Sequence, residues 1–138
     1  MAQVITTDPG QSGPNAKVLL VDDEPEFARV ISKRLGRLGF DVNTANNGTE
    51  ALRLARTIEF EVAVLDLKMA GMDGLEVLRT LLVLLPRIKV VMLTGHGSSE
   101  IARRCLKEGA SSYLNKPCDF TELVANIQKA AAENKLTK

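Results

Sequence analysis

The sequence has few of the features that mark several common classes of protein. Its 138 residues include only two cysteines, Cys105 and Cys118, which are too few for a disulfide scaffold and indicate reduced thiols in the cytoplasm. No apolar run approaches the roughly 20 residues that cross a bilayer. The formal net charge is +1, so the charge balance indicates neither nucleic acid nor a membrane as a partner. Residues 1–15 lack the basic start and apolar stretch of a secretory signal.

What is present is the composition of one globular domain. Hydrophobic residues make up 45% of the chain and charged residues 25%, and a chain of this length normally forms one domain. Residues 1–15 are rich in glycine, proline and small polar residues and are predicted to be a flexible tail. We therefore expect the domain at residues 16–134, followed by a short tail at residues 135–138.

Short apolar runs alternate with segments of helical periodicity along this domain. The predicted strands are at 17–21, 40–45, 62–65, 89–93 and 111–115, and the predicted helices are at 26–38, 49–57, 74–85, 98–109 and from 119 onward. Val42 is expected to be the clearest buried position of the second strand. Alternation of this kind predicts an α/β domain, a doubly wound five-stranded parallel sheet with right-handed crossovers.

Candidate site residues follow four of the five predicted strands at their carboxyl ends. Asp22 and Asp23 follow the first strand, Asp66 the third, Thr94 the fourth and Lys116 the fifth. Ligands bind outside the carboxyl ends of the strands in open α/β sheets, so these side chains are expected to meet there. Three clustered carboxylates repel one another unless a cation joins them, and Mg²⁺ is the hard divalent ion that fits. The ammonium and the hydroxyl would then hold an anion, such as a phosphoryl group.

Two plainer interpretations of these residues stay open at this point. Asp66 could only cap a turn, because aspartate is common where strands end. Alternatively, the five polar side chains could form an ion-pair network that does no more than close the edge of the sheet.

Four motifs at these strand ends resemble those of the receiver domains of bacterial two-component response regulators. They are VDDEP at Val21–Pro25, DLKMAGMDGLEVL at Asp66–Leu78, LTGHG at Leu93–Gly97 and YLNKP at Tyr113–Pro117. The resemblance covers about residues 16–133 and departs at Ala70, where many relatives have proline. It implies a (βα)5 flavodoxin-like fold with the strand order 2-1-3-4-5 that chemotaxis receivers have.

The resemblance also implies a chemistry for the site. Asp66 would be the nucleophile that accepts a phosphoryl group from a sensor histidine kinase or a histidine phosphotransfer protein. Mg²⁺ would be held by Asp22, Asp23, Asp66 and the backbone carbonyl of Lys68, with Asp23 a direct ligand and Asp22 acting through a water. Lys116 would neutralise charge on the phosphoryl oxygens.

A two-state switch is implied by the same resemblance. Thr94 would reach a phosphoryl oxygen once the following loop moves inward, which leaves room for Tyr113 to rotate toward the interior. A downstream protein would bind the face made by the fourth helix, fifth strand and fifth helix. Lys68 and His96 would flank the hydrolytic water and tune the rate of dephosphorylation. The peptide bond between Lys116 and Pro117 is expected to be cis.

These features predict a cytoplasmic phosphoacceptor switch rather than an enzyme with a separate substrate. The alternative is a phosphatase-like enzyme with an aspartate nucleophile, of the haloacid-dehalogenase kind, which usually carries a second aspartate two positions after the first. That position is Lys68, which cannot serve as acid and base. A flavin binder is disfavoured because the three aspartates would repel its phosphate, and a non-phosphorylated binding module because every site position is filled.

Two helices carry surface features without an assigned role. The first helix has a basic stripe, formed by Arg29, Lys33 and Arg37 with Arg34 beside it, which is either a solvated face or a steering surface for an acidic patch on a kinase. The third helix is expected to point Leu82 and Val83 outward.

Overall fold

The computed structural model describes residues 16–69 and 71–136, so the predicted amino-terminal tail, Ala70 and the last two residues lie outside the described part. Strands and helices alternate along it. In chain order they are β1 (Lys17–Val21), α1 (Pro25–Arg37), β2 (Asp41–Ala45), α2 (Gly48–Ala55), β3 (Val62–Leu65), α3 (Gly74–Leu84), β4 (Lys89–Thr94), α4 (Ser99–Lys107), β5 (Ser112–Asn115) and α5 (Phe120–Leu136).

The five strands form one parallel sheet in the order β2-β1-β3-β4-β5, which confirms the predicted doubly wound fold. Every residue of the central strand β3 is buried, as expected where helices cover both faces. The edge strand β2 differs from the prediction, because Val42 is only half-buried and Ala45 is its buried residue. An edge strand has a neighbour on one side only, so an apolar pattern overstates its burial.

Helices pack on the two faces of this sheet in separate layers. Successive residues of β1 point to opposite faces, as the pleat requires, with Leu19 and Val21 on one face and Val18 and Leu20 on the other. The first face is covered by apolar residues of α2, α3 and α4, and the second by residues of α1 and α5. None of the helices in the described part of the chain has the length and hydropathy needed to cross a bilayer.

Local sequence signals set where most of the helices begin. Pro25 occupies the first turn of α1, where its missing N–H costs nothing. Side-chain oxygens of Asn47, Asp73 and Ser98 accept hydrogen bonds from the first-turn N–H groups of α2, α3 and α4. At the other end of the domain α5 continues to Leu136, two residues past the expected boundary.

One surface expectation for α3 is wrong and the other is right. Val83 is 77% exposed, but Leu82 is half-buried and packs against the apolar core. The difference comes from α4, whose carboxyl end turns at Gly109 with a φ of +114°. A Cβ at Gly109 would lie 2.7 Å from Leu82 Cδ1, so the chain after α4 covers that leucine closely. Helical periodicity alone does not predict this contact between α3 and the turn after α4.

Candidate functional site

The carboxyl edge of the sheet brings together the polar side chains that follow the strands. Asp22, Asp66 and Thr94 are only 2%, 4% and 0% exposed, because each lies where a buried strand ends. Asp23 is exposed beside them. Carboxylate oxygens of Asp22, Asp23 and Asp66 all lie within 4.8 Å of one another. Such closely spaced oxygens form a pocket with a strong negative potential.

Lys116 reaches into this acidic pocket from the end of β5. Its Nζ lies 2.7 Å from Asp22 Oδ2, 2.9 Å from Glu24 Oε1 and 3.5 Å from Asp66 Oδ2. The same ammonium lies 4.3 Å from the centroid of the Phe27 ring, a distance at which a cation is attracted to the ring face. The Lys116–Pro117 peptide bond is cis.

Burial and charge act in opposite directions on this group of side chains. Burial raises the pKa of Asp22, although the hydrogen bond from Lys116 favours its charged form. For Lys116 burial disfavours the charge, but hydrogen bonds to Asp22 and Glu24 together with the negative charges of Asp22 and Asp66 outweigh it and raise the pKa of the ammonium. Three carboxylates, those of Asp22, Glu24 and Asp66, thus lie within 3.5 Å of the Lys116 ammonium, and the Asp23 carboxylate lies beside those of Asp22 and Asp66. The surplus is negative, and a divalent cation would offset it.

The donor set of the pocket fits a hard divalent cation. Asp22, Asp23 and Asp66 offer only oxygen, which suits Mg²⁺ or Ca²⁺ and does not favour a softer metal. Lys68 lies next to these carboxylates, since its backbone N–H donates to Asp66 Oδ1 at 3.4 Å, while its side chain is exposed. The backbone at Lys68 is therefore close enough to belong to the same pocket.

A close approach of backbone to backbone fixes the loop that carries Asp66. The N–H of Gly74 donates to the carbonyl of Leu67 at 2.8 Å. A Cβ at Gly74 would lie 2.6 Å from the Asp66 carbonyl oxygen and 2.6 Å from Leu67 Cα. Only glycine fits there, so the start of α3 is pressed directly against the end of β3.

The loop between β4 and α4 links the pocket to Tyr113. Thr94 Oγ1 accepts a hydrogen bond from the His96 backbone N–H at 3.1 Å, and the His96 side chain is exposed. The hydroxyl of Tyr113 is buried and has no hydrogen-bond partner among the described residues. It occupies the space that a side chain at Gly97 would need, since a Cβ there would lie 1.3 Å from it. Burial raises the pKa of this phenol.

Two contacts of Lys116 were not anticipated from the sequence. Glu24 belongs to the VDDEP motif and Phe27 lies in the predicted first helix, but the sequence assigned neither of them a contact with Lys116. A sequence signal existed for Glu24, because a third consecutive carboxylate directly before a helix is more than metal binding requires. Phe27 carried no such signal.

An open cavity of about 890 Å³ lies beside these residues, between α1 and the loops after β3, β4 and β5. Asp66, Lys68, His96 and Lys116 line one side of it. The other side is mainly apolar and includes Phe27, Ile31, Phe120 and Leu123. Asp66, although nearly buried, can therefore be reached from solvent through this opening.

Comparison with known proteins identifies the class to which this fold and site belong. Residues 18–128 match the response regulator receiver domain family, and the chain belongs to that family. This confirms the resemblance carried by the four motifs and makes the chain a bacterial two-component receiver domain that acts in phosphoacceptor signalling.

Among curated relatives, the chain is 35% identical over 127 residues to the transcriptional regulatory protein ZraR of Klebsiella oxytoca, covering 92% of this chain and 29% of that protein. It is also 35% identical over 114 residues to the regulatory protein AtoC of Escherichia coli (strain K12), covering 83% and 25%. The chain thus spans less than a third of the length of these relatives.

Solved structures show the same likeness. A response regulator from Burkholderia pseudomallei with a phosphorylated aspartic acid, a calcium ion and citrate superposes with a TM-score of 0.79 at 34% identity, covering 88% of this chain and 72% of that one. A response regulator receiver domain protein from Clostridium thermocellum gives 0.83 at 35% identity, covering 89% and 99%.

Proposed function

We propose that this receiver domain is a switch set by phosphorylation of Asp66, with a sensor histidine kinase or a histidine phosphotransfer protein as the donor. One observation carries the proposal. Asp66 lies at the end of the central strand, within 4.8 Å of the two other aspartates and 3.5 Å from Lys116. A carboxylate placed between a cation-binding pocket and an ammonium can act as a nucleophile toward a phosphoryl group whose charge both neighbours offset.

The proposed reaction is an in-line displacement at phosphorus. A carboxylate oxygen of Asp66 forms the new O–P bond while the P–N bond of a phosphohistidine breaks and its electron pair returns to the imidazole. Mg²⁺ bound by Asp22, Asp23, Asp66 and the backbone carbonyl of Lys68 would supply neutralisation of charge on the phosphoryl oxygens. Lys116 would stabilise the remaining equatorial charge from the opposite side.

Thr94 and Tyr113 are the proposed switch residues. A phosphoryl oxygen on Asp66 gives the hydroxyl of Thr94 a strong acceptor, which favours the loop position that brings Thr94 inward. Shifting a two-state equilibrium from 1:99 to 99:1 requires about 5.5 kcal/mol of differential interaction, and a few charge-assisted hydrogen bonds are of that order. The buried Tyr113 hydroxyl beneath the same loop would couple that position to β5.

The output is proposed to be the face formed by α4, β5 and α5, where a downstream protein binds. Leu106 on α4 is 47% exposed, and the basic residues Arg103 and Lys107 lie near it. We place this binding in the cytoplasm and expect the domain itself to contact neither nucleic acid nor membrane.

Two exposed side chains are proposed to set how long the phosphoryl group survives. Lys68 and His96 line the cavity through which water would reach Asp66. A long ammonium and an imidazole hinder the approach of that water, so dephosphorylation should be slow. The alternative of a phosphatase-like enzyme is less well supported, because Lys68 stands where such enzymes usually carry a second aspartate.

Incubation with acetyl phosphate and Mg²⁺, followed by intact mass, tests the proposal. The parent should gain the mass of one phosphoryl group, and Asp66→Asn should gain none. Asp41→Asn is the matched control, because Asp41 is an exposed aspartate of β2 that pairs with Lys17 at 3.0 Å, away from the pocket. Full labelling of Asp66→Asn would contradict the assignment.

A further inference from the structure

Lys116 has more carboxylate partners than transfer of a phosphoryl group to Asp66 requires. An ammonium donates three hydrogen bonds. Two of those of Lys116 are short, at 2.7 Å to Asp22 and 2.9 Å to Glu24. The 3.5 Å contact with Asp66 lies outside the usual range of about 2.7–3.2 Å. The ammonium is therefore held on the side where α1 begins, away from the nucleophile.

Glu24 differs from Asp22 in what its carboxylate does. Asp22 is buried, and its Oδ1 also accepts the Glu24 backbone N–H at 2.9 Å, so it helps to shape the loop. The side chain of Glu24 is 63% exposed. It stands at the N-cap position of α1 but makes no side-chain capping bond. The Glu24 carboxylate therefore acts through its contact with Lys116 and not as a helix cap.

We propose that Glu24 is a positioning residue that competes with the phosphoryl group for Lys116, an inference that rests on the proposed function of Asp66. Lys116 must exchange its bond to Glu24 for one to a phosphoryl oxygen as charge develops there. Glu24 therefore slows phosphorylation of Asp66 and helps to keep the unstimulated domain in its unmodified form. Because the carboxylate is largely exposed, water screens this competition and the effect is modest.

A general effect of charge has to be separated from this specific one. Removing any negative charge near the pocket would favour an anionic phosphodonor and would weaken binding of a cation. Glu26 is the matched control, because it lies two residues further along, is exposed, and pairs with Arg29 instead of Lys116. Saturating Mg²⁺ removes differences in metal affinity.

The experiment measures the rate at which acetyl phosphate labels Asp66 at saturating Mg²⁺, by intact mass. Glu24→Gln should label about threefold faster than the parent, as expected for loss of a largely exposed ion pair, while Glu26→Gln should match the parent. In a Lys116→Met background, where labelling is slow and followed over hours, Glu24→Gln should have no effect. Lys116→Gln provides a second background if Lys116→Met does not fold.

Three results would overturn the inference: Glu24→Gln labels no faster than the parent, Glu26→Gln accelerates labelling equally, or the acceleration by Glu24→Gln persists without Lys116. These results differ from failure of the proposed function, in which the parent itself takes no phosphoryl group at Asp66 and the role of Glu24 falls with it.

Discussion

Two ion clusters in this domain are built in opposite ways. At the carboxyl edge of the sheet the Lys116 ammonium contacts three carboxylates, those of Asp22, Glu24 and Asp66. At the far end of α4 one anion, Glu108, lies between two guanidiniums, with Arg79 Nη2 at 2.9 Å and Arg104 Nε at 3.3 Å. The hydrogen bond from Arg79 is the main reason why the pKa of Glu108 is lowered to about 2, against its desolvation. The pKa of Asp22 moves the other way, because burial outweighs Lys116.

The difference shows how a functional charge cluster can be distinguished from a structural one. The surplus positive charge around Glu108 is carried by arginines that are about half exposed, so water screens it. Two of the surplus carboxylates at the other cluster, Asp22 and Asp66, are almost fully buried, and screening is weak there. A buried surplus of one sign has to be offset by a ligand of the other sign. The cluster with Glu108 needs no ligand and joins α3 to α4.

The largest effect on stability should come from removing the Lys116 ammonium from the acidic cluster. Lys116→Met leaves two buried carboxylates without their partner, which should lower the free energy of unfolding by about 2–3 kcal/mol in the absence of Mg²⁺. Lys17→Met is the control, because its pair with Asp41 is about half exposed and should be worth less than about 1 kcal/mol. Urea unfolding at neutral pH measures both.

Added Mg²⁺ sharpens that test. If the surplus of negative charge is the cause, Mg²⁺ should stabilise Lys116→Met by more than it stabilises the parent, because its binding relieves a larger repulsion. Equal losses for Lys116→Met and Lys17→Met would show that burial does not distinguish the two pairs.

An effect of intermediate size is expected at the mouth of the same cluster. Replacing both flanking side chains, as Lys68→Asn with His96→Glu, should open the path of water to phosphorylated Asp66 and speed loss of the phosphoryl group by about tenfold, a fraction of the 10²–10⁴ that positioned proton-transfer groups can contribute. Decay followed by intact mass after removal of acetyl phosphate measures this rate. Lys107→Asn, on the exposed side of α4, should decay like the parent. If the double variant decays no faster, these side chains do not shield the site.

The sequence predicted the fold and the meeting of the five polar residues for a physical reason. Parallel strands joined by right-handed crossovers place all their carboxyl ends on one edge, so Asp22, Asp66 and Lys116 had to converge once the alternation of strands and helices was recognised. Contacts between side chains that are far apart in the sequence were not predictable in this way. Arg79 and Glu108 are 29 residues apart, and nothing in the periodicity of α3 or α4 pairs them.

Other contacts were missed because they depend on how elements pack against one another. Leu82 is covered by the turn at Gly109, and Asn134 near the end of α5 donates to the carbonyls of Glu61 at 3.0 Å and Arg87 at 2.6 Å. The ion pair between Glu24 and Lys116 also depends on how the elements pack. Motifs identify residues that converge, whereas the partner that each one takes depends on distances that only the folded chain fixes.

The smallest effect should come from the cluster at Glu108. Glu108→Gln removes one half-buried anion whose arginine partners are about half exposed, and it should lower the melting temperature by at most a few degrees at neutral pH, with no change in labelling of Asp66. Because the folded pKa of about 2 lies below the ordinary value of 4.5, this stabilisation is complete above pH 4.5 and is lost as the pH falls toward 2. The gap between the melting temperatures of the parent and Glu108→Gln should therefore be constant from pH 7 to about 5 and close below that. Glu59→Gln, at an exposed position, should show no such gap. A gap that widened on acidification would mean that the arginines do not hold Glu108 in its charged form.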